Sequence, residues 1–242
     1  MYDDITEIYS QIFPLNKAFL DFIPEFLPEP GASVLDLGCG PGDYVDALSR
    51  KGFRAIGIDS SQKMIQQAQV NKQGTFYPYS FTDIRKLTST FDTAFCIGNS
   101  LSYLPNPLLE PFLSDLFDLL NPGGVFILQL VNWDKIIASG TPDFPVKTLT
   151  DGSTFHRYYE WVDTTRVIFH TEIRSPEGKP RGSWADVLDV KPSGLITSAL
   201  QNAGMDLTDQ FGDFQKSAFD PLSSPAHIVV ALKPPASRGE RS

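Results

Sequence analysis

Residues 34–44 read Val34-Leu35-Asp36-Leu37-Gly38-Cys39-Gly40-Pro41-Gly42-Asp43-Tyr44, and their order decides the fold. An apolar run leads into an acidic residue. Three glycines follow at alternate positions, Gly38, Gly40 and Gly42, and a helical pattern begins at Asp43. A short apolar run, a glycine-rich turn and a helix make the βα turn of a nucleotide-binding sheet. Glycine serves such a turn in two ways. The chain leaves the strand sharply, in a conformation with positive φ. A ligand must also approach the backbone where a Cβ would clash.

The spacing of the glycines discriminates between ligands. A dinucleotide site has the pattern G-x-G-x-x-G, which rests a pyrophosphate on the helix N-terminus. Here the third glycine comes one residue early, at Gly42, and Asp43 stands where that pattern has glycine. A carboxylate at a helix start repels a pyrophosphate but tolerates a cationic or zwitterionic ligand. The same two positions speak against an NAD-dependent oxidoreductase. A glycine-rich turn with no ligand is the plain alternative.

Outward from this turn, strands and helices alternate. Strands are expected at 33–37, 53–58, 75–78, 91–97 and 125–131, with helices at 43–51, after Ser60-Ser61, and around 108–120. The strands are nearly continuous apolar runs, as both-face-buried parallel strands are, and the alternation implies right-handed crossovers. Upstream, residues 3–27 read as helix broken near Pro14, with Ile5, Ile8, Ile12 and Leu15 at helical spacing. After about residue 140 the rhythm changes. Strand-like runs at 146–149, 154–162, 166–174 and 183–190 follow one another without helices, and Asp151-Gly152 is a hairpin signal. These form an antiparallel addition. A helix at 193–203 and strands near 205–211 and 227–232 resume the core pattern. The tail at 233–242 is rich in Pro, Ser and charge and reads as loose.

Composition removes several functions. The 242 residues are 41% hydrophobic, enough to bury the core of a large α/β domain. A net charge of −9 is the wrong sign for a protein that grips a phosphate backbone, so no nucleic-acid partner is expected. The two cysteines, Cys39 and Cys96, make neither a disulfide framework nor a zinc pattern. Both should be free thiols. No apolar run approaches the ~18 residues of a membrane span, and the acidic start Met1-Tyr2-Asp3-Asp4 lacks the basic region of a signal peptide. A cytoplasmic protein without membrane contact is the expectation.

Asp36-Leu37-Gly38-Cys39-Gly40-Pro41-Gly42 resembles the first motif of class I S-adenosylmethionine-dependent methyltransferases. Gly98-Asn99-Ser100, Asn121-Pro122-Gly123-Gly124 and Asn132-Trp133-Asp134 resemble the small-molecule branch, including the glycine and sarcosine N-methyltransferases. The resemblance is strong over about residues 30–135 and weakest in the β insertion. It implies an α/β fold: a Rossmann-like seven-stranded methyltransferase sheet with helices on both faces and its last strand antiparallel. Combined with the antiparallel β insertion after strand five, it divides the chain. Residues 1–30 become an N-terminal helical lid, 31–140 and 191–233 the methyltransferase core, 141–190 the acceptor cap and 234–242 a flexible tail.

The resemblance also implies the cofactor, S-adenosyl-L-methionine, and its candidate contacts. Asp36, Gly38, Gly40 and Gly42 belong to the turn. Asp59, closing the second strand, accepts from ribose hydroxyls or, alternatively, caps the following helix. Met64 packs on adenine or simply fills the helix core. Asp83, with the backbone of Ile84, meets the adenine edge or caps a helix. Ile97 and Gly98 end strand four, where strand order reverses and ligands bind.

The methyl acceptor is expected to be a small molecule, an amine or a hydroxyl. Transfer from a sulfonium is an in-line displacement in which the cofactor carries the chemistry. The protein aligns the groups and excludes water, and no metal is expected. A base is needed only for an acceptor that arrives protonated. His156, His170 and His227 are candidates, with Tyr158 and Asp134 behind them. Asn99, after strand four, and Tyr9, in the lid, complete the candidate catalytic set with His156 and Arg157. Strand alternation puts Phe155, Arg157 and Tyr159 on one face, where the guanidinium would anchor an acceptor carboxylate. Pairing with Asp163 or Glu172 at the surface is the competing reading. A non-catalytic, adenosylmethionine-binding regulator and a homodimer both stay open.

Overall fold

The computed structural model describes residues 5–140, 142 and 144–235. Tyr2 and most of the expected tail fall outside that range. The first strand, β1 (Ser33–Leu37), is buried throughout. It pairs in parallel with β2 (Arg54–Ile58) on one side and β4 (Phe91–Cys96) on the other. With β3 (Thr75–Tyr77), β5 (Leu120–Val131), β10 (Asp206–Phe211) and β11 (Ala226–Leu232) these strands make a seven-stranded sheet in the order β10-β11-β5-β4-β1-β2-β3. β11, the last strand, runs antiparallel between β5 and β10. The chain builds outward from β1 to β3, then returns to β1's other side with β4. The order therefore reverses between β1 and β4, and their carboxyl ends splay into a crevice.

Helices cover both faces. On one, α2 (Lys17–Phe22), α3 (Asp43–Arg50) and α4 (Gln62–Asn71) bury Phe19, Phe22, Val45, Leu48, Ile65 and Ala68 against the sheet. Acidic residues in the first turn of α3 and Arg50 in its last turn suit the helix dipole. Ser61 caps α4 by accepting from the Met64 amide. On the other face, α5 (Leu109–Leu119) and α7 (Ser193–Asn202) bury Leu109, Phe112, Leu113, Leu116, Ile196 and Leu200.

A second, four-stranded antiparallel sheet follows β5: β6 (Lys147–Thr148), β7 (Thr154–Trp161), β8 (Arg166–Arg174) and β9 (Pro180–Asp189). The Asp151-Gly152 turn closes the β6–β7 hairpin, with the Gly152 amide donating to Leu149. This sheet shares the main core, where Tyr159 stacks on Trp133 at 5.3 Å. A separate cluster of Ile5, Ile12, Leu149, Phe155 and Ile173 joins it to the N-terminal segment.

Two elements differ from the sequence expectation. Residues 133–139, to which the sequence reading assigned no element, form helix α6 (Trp133–Ser139), capped by Asn132 through the Lys135 amide. The N-terminal segment is a chain of short pieces, 3₁₀ turns at Thr6–Ile8 and Ile23–Phe26 around α1 (Tyr9–Ile12) and α2. The break expected near Pro14, which lacks an amide donor, is present, and the helical pieces on either side are shorter than expected.

Gly42 holds this frame together by close packing. Its φ is +82°, and a Cβ there would stand 2.5 Å from the Phe76 ring on β3. Gly42→Ala should lower the unfolding free energy by roughly 1–3 kcal/mol. An unchanged urea midpoint would show that the ring moves aside freely.

Candidate functional site

The crevice at the ends of β1 and β4 opens into a cleft of about 770 Å³. That volume suits a ligand larger than a single amino acid or sugar. The β1–α3 turn forms its floor. The amides of Gly38 and Cys39 both donate to the Ile58 carbonyl at 2.9 Å. Gly38 has a φ of +83°, and a Cβ on it would lie 2.9 Å from the Ser100 Cβ in the turn after β4. Gly40 lies beneath Tyr9, whose ring stands 3.5 Å from where a Cβ would be. Gly38 and Gly40 thus present bare backbone to the cleft, whereas Gly42 is packed against Phe76 and is not on its wall.

Two carboxylates stand at the strand ends. Asp36 is buried and borders the cleft, and its Oδ2 has no hydrogen-bond partner. Burial first, and the Asp59 charge second, raise its pKa well above the ordinary carboxylate range. Asp59 Oδ2 accepts from the Gly40 amide at 2.9 Å and Oδ1 from the Ser61 amide at 2.8 Å. The end of β2 is thereby tied to the turn after β1. Met64 borders the cleft from α4 while remaining almost wholly buried. Ile97 and Gly98 border it from just after β4, and the Gly98 amide donates to Gln129 Oε1 at 2.7 Å.

Other sequence candidates are turned elsewhere. Asp83 is engaged in a capping box, accepting from the Ser80 hydroxyl at 2.6 Å and the Ser80 amide at 3.1 Å. Lys86 pairs with its other oxygen at 2.7 Å. The Lys86 and Ser80 hydrogen bonds hold its pKa down to about 2. Ile84 is fully buried in the core. Their segment reaches the cleft one step earlier, through Ser80, Phe81 and Thr82. The Ser80-to-Asp83 spacing is itself a capping-box signal. Asn99 adopts a φ of +67°, and its Oδ1 accepts from the Ser102 hydroxyl and the Val131 amide. It shapes the turn after β4 instead of facing the cleft.

The catalytic candidates separate in the same way. Tyr9 borders the cleft. Arg157 lies half-buried among the Phe13, Phe144 and Phe155 rings. His156 alternates onto the opposite face of β7, where it hydrogen-bonds Thr154 at 2.9 Å. His170 pairs with Glu160 and stacks on Tyr158. His227 is buried against Phe219 and hydrogen-bonds Gln210. Asp134 accepts from the Ser193 amide. None of these histidines borders the cleft, and neither does Asp134, Tyr158 or Arg157, which stands behind the Phe13 ring. Cys39 and Cys96 are both buried free thiols.

Several cleft residues gave no warning in the sequence. Tyr79 and Phe81 follow β3, and Leu104 follows Tyr103, the end of the segment after β4 that the strand order itself places at the crevice. This last wall is fixed from behind by the buried Lys191, whose ammonium donates to the Leu104 carbonyl at 2.7 Å and to Asn106 Oδ1 at 2.8 Å. Burial pushes the Lys191 pKa down to about 8. A lone lysine beside a strand carries no sequence signal for such a role. Lys147 borders the cleft from β6.

Comparison with known proteins adds the family context. Residues 34–124 match the family described as Methyltransferase domain. The "Putative methyltransferase YqeM" of Bacillus subtilis (strain 168) is 32% identical over 161 residues, 62% of this chain and 62% of its own. The Ubiquinone biosynthesis O-methyltransferase of Xylella fastidiosa (strain 9a5c) is 29% identical over 157 residues, 61% of this chain and 62% of its own. The chain thus spans about three fifths of the length of these curated relatives. Among solved structures, an S-adenosylmethionine-dependent methyltransferase from Clostridium acetobutylicum ATCC 824 superposes with a TM-score of 0.78 at 18% identity, covering 96% of this chain and 99% of that one. The sugar N-methyltransferase KedS8 from Streptoalloteichus sp ATCC 53650 gives 0.70 at 20% identity, covering 97% and 93%. The fold is shared with these solved methyltransferases, and the similarity to the methyltransferase domain family covers residues 34–124.

The burial of His227 has a measurable consequence. Desolvation lowers its pKa from 6.5 to about 4. A base whose folded pKa is depressed contributes stability above its unfolded pKa and loses it as pH falls toward the folded value. Between pH 6.5 and 4 the wild type should therefore lose stability relative to His227→Gln by on the order of 2–3 kcal/mol. Urea unfolding of both proteins across that range tests this, and parallel curves would contradict it.

Proposed function

We propose that this protein is an S-adenosylmethionine-dependent methyltransferase acting on a small-molecule amine or hydroxyl. The observation that carries the reading is the cleft floor: bare glycine backbone flanked by the Asp36 and Asp59 carboxylates. The residues present fit the cofactor. The unpartnered Asp36 Oδ2 suits the cationic end of a zwitterionic ligand. Asp59 suits ribose hydroxyls, and Met64 an apolar ring face. Gly38 and Gly40 leave room for close approach. When bound, S-adenosylmethionine supplies a methyl group already activated on a sulfonium.

The chain's own work is placement and exclusion of water. Tyr9 covers the glycine turn at Gly40, and Phe13, also on the cleft wall, packs on Tyr9 with ring centres 5.1 Å apart. Tyr103 and Leu104 make the opposing wall. In this reading residues 1–30 form a lid, 31–140 and 191–233 the catalytic core, and 141–190 the acceptor cap. An acceptor arriving with a free lone pair needs alignment alone, which contributes on the order of 7–11 kcal/mol in favourable cases. This suits a cleft that no histidine of the described residues borders. Similarity to a ubiquinone biosynthesis O-methyltransferase and to the fold of a sugar N-methyltransferase supports a small-molecule acceptor. An amino-acid acceptor of the glycine and sarcosine kind is the finer reading, resting on the Gly98-Asn99-Ser100 and Asn132-Trp133-Asp134 segments. Both asparagines also have structural duties, Asn99 in its turn and Asn132 as the cap of α6.

Incubation with methyl-labelled S-adenosylmethionine and a panel of amines, amino sugars, phenols and amino acids tests the activity. Label transferred to a small molecule supports it. Cofactor binding without turnover on any acceptor would favour a regulator instead. Asp59→Ala should weaken S-adenosylhomocysteine binding by on the order of a hundredfold, through loss of charge-assisted hydrogen bonds. Its circular dichroism should stay that of the wild type. A change below about threefold by calorimetry would remove Asp59 from the site.

A further inference from the structure

Two basic side chains meet where the N-terminal segment, β6 and β7 converge. Lys147 borders the cleft from β6. Its ammonium donates to the Ile12 carbonyl and stands 5.5 Å from the centre of the Phe13 ring. Arg157 reaches the same ring from β7, its guanidinium carbon 6.0 Å from the Phe13 centre. Phe144 and Phe155 flank that guanidinium at 4.9 and 5.8 Å. Phe13 itself borders the cleft, so one ring links both cations to it.

Neither cation has an acidic partner among the described residues. The acids that could have neutralised Arg157 are engaged with other arginines: Asp163 with Arg166, Glu172 with Arg174, and Asp151 with Arg181. Arg157 Nε is buried and without a hydrogen-bond partner. Burial and mutual repulsion both oppose the charge on Lys147. An unpartnered, buried guanidinium donor beside a second cation is costly; the aromatic rings offset part of that cost, and no acid among the described residues neutralises the charge. A planar fork held between aromatic rings, with its N–H groups unspent, is the geometry that receives an oxyanion.

We propose that Lys147 and Arg157 form an anion site at the insertion end of the cleft, holding a carboxylate or phosphoryl group of the acceptor. The assignment of that anion to the acceptor rests on the methyltransferase reading above. The anion site itself does not. Held there, the acceptor would be fixed at one end by charge while its nucleophile extends toward the floor of the cleft. The acceptor is thereby narrowed to molecules that carry an acid group at a distance from the methylated atom.

The test uses the full-length protein at constant ionic strength. Calorimetric titrations with sodium acetate, inorganic phosphate and, separately, S-adenosylhomocysteine are compared across wild type, Arg157→Gln, Arg157→Lys and Lys147→Gln. Saturable binding of acetate or phosphate by the wild type is expected. It should weaken by about tenfold or more in Arg157→Gln and Lys147→Gln, with S-adenosylhomocysteine affinity within about twofold of wild type. Preference for phosphate points to a phosphorylated acceptor, and preference for acetate to a carboxylic acid. Arg157→Lys keeps the charge but loses the fork, so it should also weaken anion binding. It decides the matter if Arg157→Gln does not fold. Absence of saturable anion binding in the wild type, or undiminished binding in the folded variants, would overturn the proposal. Failure of S-adenosylhomocysteine to bind the wild type would instead overturn the methyltransferase reading and leave the anion result standing.

Discussion

The backbone at Gly38 passes so near the turn after β4 that a Cβ there would lie 2.9 Å from the Ser100 Cβ. The rest of the molecule depends on that close approach. It lets two adjacent parallel strands end side by side, with one turn leading to α3 and the other to the wall at Tyr103 and Leu104. A side chain at Gly38 would push these turns apart and disturb the floor they share. The positive φ of Gly38 adds a second reason for glycine. The cleft is therefore a consequence of strand order, because only at the reversal between β1 and β4 do neighbouring turns diverge to opposite faces.

This arrangement strains the electrostatics that surround it. Asp36, next to the last residue of β1, has one oxygen unpartnered and feels the charge of Asp59 just after β2. Asp59 already spends both oxygens on backbone amides, one from Gly40 and one from Ser61. The same carboxylate that would meet a ligand thus also sets the shape of the turn that receives it. Hydrophobic burial on both faces of the sheet offsets the cost of holding polar groups in this state. The second sheet extends the pattern: its packing through Trp133 and Tyr159 joins it to the core, while its Phe155 edge meets the N-terminal segment. The covering residues Tyr9 and Phe13 are thereby coupled to the insertion as well as to the glycine turn.

Much of the frame was legible in the sequence because it rests on local rules. The run into Gly38, the capped helix after Asp59 and the apolar strands all follow from periodicity and turn chemistry. The antiparallel character of residues 147–189 showed itself in strand runs without intervening helices. Placement of individual side chains was less legible. Asp83 lies at a position that favours a ligand contact by analogy, but a nearby serine and lysine satisfy it locally. His156 and Arg157 are adjacent in sequence and opposite in space, and only the burial of Phe155 and Tyr159 shows which face looks inward. The Arg157 guanidinium was expected to find a surface acid more readily than an aromatic nest. The acids are taken by neighbouring arginines, which no strand pattern foretells. Lys147 and Lys191 illustrate the same limit, since their roles arise from contacts between distant segments.

The central claim is that the glycine turn and its two carboxylates receive a zwitterionic sulfonium nucleoside and not a dinucleotide. Calorimetric titration of the unmodified protein with S-adenosylhomocysteine and, in parallel, with NAD tests it most directly. The account predicts saturable one-to-one binding of S-adenosylhomocysteine, displaced by S-adenosylmethionine, and no heat of binding for NAD. Saturable binding of NAD with none for S-adenosylhomocysteine would contradict it.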